Sequence, residues 1–314
     1  TCWLCYVVHR FPVHISEDYA DGDPSLLALI VAQLSKAGST TSAAMLFKKH
    51  EATLRGVVDA PVIASLEGVV GSVHPREDVF GPTKPSSLVL PLPEDRVVFV
   101  DDPSAAQLAL EELSRAAVVG IDLEWSSRGD WPDAKLALMQ LATPERVFLV
   151  DLAAECMEQP VASLLRLLFR SESLVLLGFS FENDLRELGA SSWAHLCRAP
   201  PRGLCDLQRL SGRPREGLAR LVERTLGVPF CKAEQRSYWL RRPLRAGQRH
   251  YAALDAYVLL QVASKIVNVP LGDPGQVNLN GAPRRLADTL RTRMVETQAP
   301  ALEVREPGGG AVEK

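Results

Sequence analysis

Residues 118–125 read VVGIDLEW, an apolar, β-branched run that carries two carboxylates, Asp122 and Glu124. A run of this kind reads as a buried strand. Side chains two apart on a strand share a face, so the two acids stand side by side. Two negative charges held together in an apolar strand are costly. They require compensation, either from basic partners or from a bound cation.

The surroundings place this strand in an α/β domain. RVVFV (96–100) reads as a strand and residues 103–116 as an amphipathic helix. Three strands follow, over 117–124, 136–142 and 146–152. The last two are joined only by TPER, a hairpin-length link, and the first two by the eleven residues WSSRGDWPDAK, so all three are expected to run antiparallel. Helices and strands then alternate: a helix over 159–169, a strand over 174–180, a helix from 182, and a short strand near 203–206. After these come a helix in EGLARLVERTLG and a long helix over 247–267. An antiparallel meander followed by β-α-β units gives a mixed sheet of five to six strands with helices on both faces.

Outside this domain the signals differ. DPSLLALIVAQLSKAGSTTSAAMLFKKH reads as a helix pair, with Asp23 as N-cap and Gly38 as a stop. Residues 1–56 are therefore expected to be a helical segment, like part of an α-solenoid, and a candidate docking surface for a protein partner. Six prolines between 57 and 94 read as a linker. The α/β domain is assigned to 95–268, and the Pro-, Gly- and charge-rich remainder, 269–314, to a mostly disordered tail with a short helix near 285–294. The chain begins at Thr1, which reads as a fragment or processed product. Six cysteines in 314 residues suit a reducing, intracellular compartment, cytoplasmic or nuclear. No apolar run is long enough to span a membrane.

Two further positions add acids. Asp184 lies in the first helical turn of LLGFSFENDLREL, where the helix dipole alone would account for it. Tyr251 and Asp255 are four apart on a nearly apolar helix, so they share a face; taken alone they read as a pair satisfying each other. Together, four carboxylates in one domain form an all-oxygen set suited to hard cations such as Mg²⁺ or Mn²⁺. Two such ions support phosphodiester cleavage, and a nearby Tyr hydroxyl can orient water.

The motif set resembles the DEDDy 3′–5′ exonucleases: Asp-x-Glu on a strand, a later Asp at a strand-to-helix join, and Tyr-x-x-x-Asp on a late helix. LMQLAT before VFLVDL, and KAEQRSYWLRRPL leading into YAALDAY, resemble the ribonuclease D-like branch. GFSFENDL and WLRRPL are most similar to the Mut-seven-type exonuclease. The resemblance covers about 95–268 and implies a ribonuclease H-like fold. It also implies that Asp122 bridges two metals, that Glu124 and Asp255 complete the one holding the attacking water, that Asp184 supports the second, and that Tyr251 orients the water. It implies RNA as the favoured substrate. A DNA-directed repair exonuclease and an inactive RNA-binding scaffold are the competing readings.

The net charge of −3 gives no global signature of a nucleic-acid binder, yet residues 213–249 hold ten basic and three acidic residues, a local +7. This reads either as a solvated basic face or as a phosphate-binding rim. Lys232, Gln235 and Arg242 are the expected substrate contacts, by resemblance. Trp125, Arg128 and Trp131 could line a 3′ end, with Trp125 equally suited to packing. Cys2, Cys5, His9 and His14 have a zinc-like look, but the gap before His9 is too tight for a common finger.

Overall fold

The computed structural model describes residues 17, 20, 22–72, 81, 86–126, 135–272 and 281–298. The candidate zinc residues, Arg128 and Trp131 lie outside them. Among the described residues, helices α1 (Pro24–Lys36), α2 (Thr40–Lys49), α3 (Glu51–Leu54) and α4 (Ala60–Val70) share one apolar cluster built on Leu27, Ile30, Leu46, Phe47, Leu54 and Leu66. Asp23 caps α1 as expected, its Oδ1 accepting from Ser25 N at 2.8 Å. Among the described residues no helix is long and apolar enough to cross a membrane.

The sheet holds six strands: β1 (Val97–Val100), β2 (Val118–Ser126), β3 (Lys135–Ala142), β4 (Val147–Asp151), β5 (Val175–Gly178) and β6 (Leu204–Asp206), in the order β1-β4-β3-β2-β5-β6. β2, β3 and β4 form the expected antiparallel meander. β1 joins β4 in parallel, and β5 and β6 extend the β2 edge in parallel. This is the mixed α/β architecture expected from the sequence, and it puts β2 inside the sheet.

Helices cover both faces. α5 (Pro103–Leu113), α6 (Glu158–Arg170) and α7 (Glu182–Ala190) pack on Val119, Ile121 and Leu123. On the other face lie α9 (Leu218–Leu226), α10 (Ala246–Ile266) and α11 (Ala282–Gln298), with Val118, Leu138 and Leu149 beneath them; the four-residue α8 (Leu207–Leu210) follows β6. α10 runs across β2, β3 and β4 and is buried along most of its length. Its approach is very close at Gly120, where a Cβ would stand 2.2 Å from the Ala256 carbonyl oxygen.

Two boundaries need correction. The span read as a linker holds α4, and its end belongs to the domain core. Leu90 and Leu92 are buried there, Leu88 N donates to Pro229 O at 2.8 Å, and Leu90 N donates to His250 Nε2 at 3.3 Å. The prolines masked an alternation of Leu88, Leu90 and Leu92, which is the strand-like signal of a docked extended segment. His250 is buried with this segment, and burial pushes its pKa down to about 4. In the tail, the short helix expected near 285–294 is present as the longer α11, and its Leu286, Ala287 and Leu290 are buried against the domain. Its apolar stripe is sparse among arginines, so composition alone read it as mostly unfolded.

Candidate active site

β2 alternates cleanly. Val118, Gly120, Asp122 and Glu124 face α10, while Val119, Ile121 and Leu123 face α6. Because α10 crosses directly over Gly120, the turn of helix around Ala256 is brought down to the strand, and Asp255 comes with it. Oxygens of Asp122, Glu124 and Asp255 all lie within 4.8 Å of one another. Asp184 comes from the third residue of α7 and is electrostatically coupled to both Asp122 and Asp255. Glu124, Asp184, Asp255 and Tyr251 are each at most 8% exposed.

Tyr251 sits one helical turn before Asp255. Its ring contacts Phe230, stacked at 5.9 Å with an interplanar angle of 4°, and Trp239, tilted at 6.1 Å. The phenol lies close enough to the Asp255 carboxylate for each to act on the other's proton affinity, yet Tyr251 Oη and Asp255 Oδ1 are not aligned for a well-formed hydrogen bond and are buried without a partner. Burial and the neighbouring acids, Asp255 and then Glu124, push the Tyr251 pKa up, so the phenol keeps its proton at neutral pH.

The acids carry the electrostatic signature expected of crowded carboxylates. Burial first, then Asp255 and Asp184, raises Asp122 well above the ordinary carboxylate range. Burial and then Asp122 do the same to Glu124, and burial raises Asp184 to about 7. Lys232 opposes the effect on Asp122, Glu124 and Asp255, so its ammonium stands close to the cluster. It also lies 5.8 Å from the Phe230 ring centroid.

These shifts have a consequence for stability. A carboxyl with a raised folded pKa holds its proton where the unfolded chain has released it. Its contribution is present below about pH 4, the ordinary range, and is lost as pH rises through the folded value. For Asp184 that loss is complete above about 7. In chelator, Asp184→Asn should therefore gain on wild type in melting temperature as pH rises from about 4 to about 8. A difference that stays flat with pH would contradict the buried charge.

The donors fit a hard divalent cation: three converging carboxylates, one unpartnered buried oxygen and no sulfur or imidazole ligand among them. The other expected site residues separate. Lys232 is at the cluster. Gln235 is exposed in the turn after the buried Glu234. Trp125 packs with the apolar cluster on the opposite sheet face, where the strand register shifts between Glu124 and Trp125. Arg242 is committed elsewhere. It donates to both Asp151 oxygens at 2.6 and 2.5 Å, and to the carbonyls of Trp239, Arg241 and Ala137 at 2.7–2.8 Å. It staples the 239–242 segment to the end of β4.

The basic segment is partly internal as well. Arg224, Arg245 and Arg249 pair with Glu216, Glu234 and Glu94. With Arg242, four of its charges are therefore tied to acids. Sequence reasoning missed Gln140, which is directly opposite Asp122 on β3, fully buried and without a partner for either amide atom. A lone amide in LALMQLA was the available signal.

The chain is similar to known proteins in sequence and fold. The sequence profile described as 3′–5′ exonuclease matches residues 97–269. The human protein named Exonuclease mut-7 homolog is 32% identical over 211 residues, covering 58% of this chain and 23% of its own length. Ribonuclease D of Escherichia coli is 32% identical over 178 residues, covering 55% of this chain and 44% of its own. The crystal structure of the Aedes aegypti Nibbler EXO domain aligns with a TM-score of 0.54 at 25% identity, over 65% of this chain and 99% of that one. The match spans only 23%, 27% and 32% of the Mut-7 homologues of Homo sapiens, Aedes aegypti and Drosophila melanogaster. Over more than half its length, and with all four acids and Tyr251 inside the matched region, the chain belongs to the 3′–5′ exonuclease family.

Proposed function

We propose that the domain hydrolyses single-stranded nucleic acid from the 3′ end, RNA by preference, and releases nucleoside monophosphates. The observation that carries this reading is the convergence of Asp122, Glu124 and Asp255 beside the unpartnered phenol of Tyr251. Asp122, Glu124, Asp184 and Asp255 would hold two divalent cations, Mg²⁺ or Mn²⁺. When bound, such ions polarise the scissile phosphate and acidify water.

The chain's own groups do the rest. The raised pKa of Tyr251 keeps it a neutral hydroxyl, which can donate to and accept from the attacking water without acting as a phenolate base. Phe230 and Trp239 fix the ring, so its oxygen meets the water in one orientation. Lys232 supplies a positive charge for the phosphate being cleaved. Arg242 supports the site from a distance by anchoring the segment that bears Trp239. The preference for RNA rests on relatives named ribonuclease D.

The direct test is a 5′-labelled single strand incubated with Mg²⁺ or Mn²⁺, with matched RNA and DNA oligonucleotides side by side. Progressive shortening from the 3′ end is expected, faster for RNA. An intact RNA strand under both metals leaves the inactive scaffold as the better reading, and faster cleavage of DNA reverses the preference. Tyr251→Phe should slow cleavage by about 10²–10⁴-fold, the usual contribution of a positioned acid–base group. Unchanged single-turnover rates in that variant would remove the phenol from the mechanism.

A further inference from the structure

We propose that Asp206, which lies outside the carboxylate cluster, is a positioning residue for its Asp184 arm. The inference rests on the cation-cage reading above. Asp206 is the last residue of β6 and pairs in register with Gly178, the last residue of β5. Its carboxylate joins two chain turns. Oδ1 accepts from Ser180 N at 3.2 Å, and Oδ2 accepts from Phe181 N at 3.1 Å. The same Oδ1 also accepts from Gln208 N at 2.9 Å and Arg209 N at 3.4 Å.

The turn that it grips is demanding. Ser180 has φ of +52°, a left-handed conformation unfavourable for any residue but glycine. A Cβ on Gly178 would come within 3.0 Å of the Phe181 ring, so the chain folds back tightly on itself there. Phe181 is the N-cap of α7 and offers no side-chain cap. The first turn of α7 therefore relies on a carboxylate from a different strand. Asp184 is the third residue of that turn.

The three other acids have stiffer mounts. Asp122 and Glu124 stand in the interior of β2, and Asp255 is midway along α10. Asp184 alone hangs from a helix start, where frayed backbone changes the direction of a side chain by about 100° per residue of slip. Capping the four-residue α8 needs only one oxygen. The second oxygen, on Phe181 N, serves the Asp184 side.

Mn²⁺ binding to the full chain, measured by calorimetry without substrate, tests the assignment. It is read beside oligonucleotide kcat and KM. Asp102→Ala is the control. Asp102 caps α5 in the same way, accepting from Ser104 N at 2.7 Å and Ala105 N at 3.1 Å, and it follows β1, the edge strand opposite β5 and β6. Asp206→Asn is expected to weaken Mn²⁺ binding by about 10–100-fold, the range for partners that orient ligands. It should lower kcat while leaving KM near wild type. Asp206→Glu, which keeps the charge but moves the carboxylate by one methylene, is expected to weaken binding too.

Asp102→Ala should lower the melting temperature and leave Mn²⁺ affinity unchanged. Equal Mn²⁺ affinity in Asp206→Asn and Asp102→Ala overturns the inference. Wild-type affinity in Asp206→Glu, with weakened binding in Asp206→Asn, also overturns it, because charge rather than placement would then be responsible. Wild-type protein that binds no Mn²⁺ overturns the cage itself, and the inference with it.

Discussion

Asp122→Asn is expected to lower exonuclease turnover by at least about 10³-fold, since a lost metal arm removes several kcal/mol of transition-state stabilisation. The same substitution should raise the melting temperature in chelator at mildly alkaline pH. Asp122 stands beside Glu124 and Asp255, and burial, then Asp255 and Asp184, make its charge unfavourable. Asparagine is nearly isosteric and removes that charge. With saturating Mn²⁺ the order should invert, because wild type alone gains the full binding energy of the ion. Thermal melts with and without metal therefore separate a cation site from a buried acid that serves structure alone. Full turnover in Asp122→Asn would sink the assignment of β2 as the catalytic mount.

Gly120→Ala is the second large effect, and it acts through packing. A Cβ there would lie 2.2 Å from the Ala256 carbonyl oxygen and 3.2 Å from its carbon. The obstacle is backbone in the middle of a buried helix, so a rotamer change gives no relief. Overpacking of well-packed interiors costs about 1–3 kcal/mol, and a backbone clash this short belongs at or beyond the upper end. The helix can yield only by lifting off the strand, which draws Asp255 away from Asp122 and Glu124. Loss of stability and loss of Mn²⁺ affinity are thus expected together. Gly68→Ala in α4 is the counterpart: nothing lies within 4 Å of the added Cβ, and a gain of about 0.5–1 kcal/mol is expected from the helix interior. Chemical denaturation of the two variants checks both signs. A Gly120→Ala protein as stable as wild type would mean that α10 does not need this approach.

Much of the domain was legible in the residues because its signals are local. The two-residue period of VVGIDLEW put Asp122 and Glu124 on one face, and the four-residue spacing put Tyr251 and Asp255 on one face of a helix. The short link TPER dictated an antiparallel pair, which the register of Gln140 with Leu149 bears out. The docking of the segment before β1 and of the tail helix onto the domain was missed for a related reason. Proline and charge content measure average composition, whereas Leu90, Leu92, Leu286 and Leu290 are buried by neighbours that no local window contains.

The contacts expected from the basic segment divide along the same line. Lys232 acts on the acids through its charge, but Arg242 turns to Asp151, 91 residues earlier in the chain, and to the Ala137 carbonyl. A charged side chain within a sequence window does not reveal whether an opposite charge awaits it in the folded state. Trp125 follows Glu124 directly, and strand alternation sends it to the other face of the sheet.

The sequence by itself determined the order of elements, the pairing of acids on β2 and on α10, and the family pattern that links them. Only the tertiary structure decided that these pairs meet. That meeting depends on a bare glycine at 120, which lets a helix backbone descend onto the strand. Periodicity encodes which face of its own element a residue occupies. Which two faces come together is set by packing between segments more than a hundred residues apart, and that information is carried by shape at the point of contact.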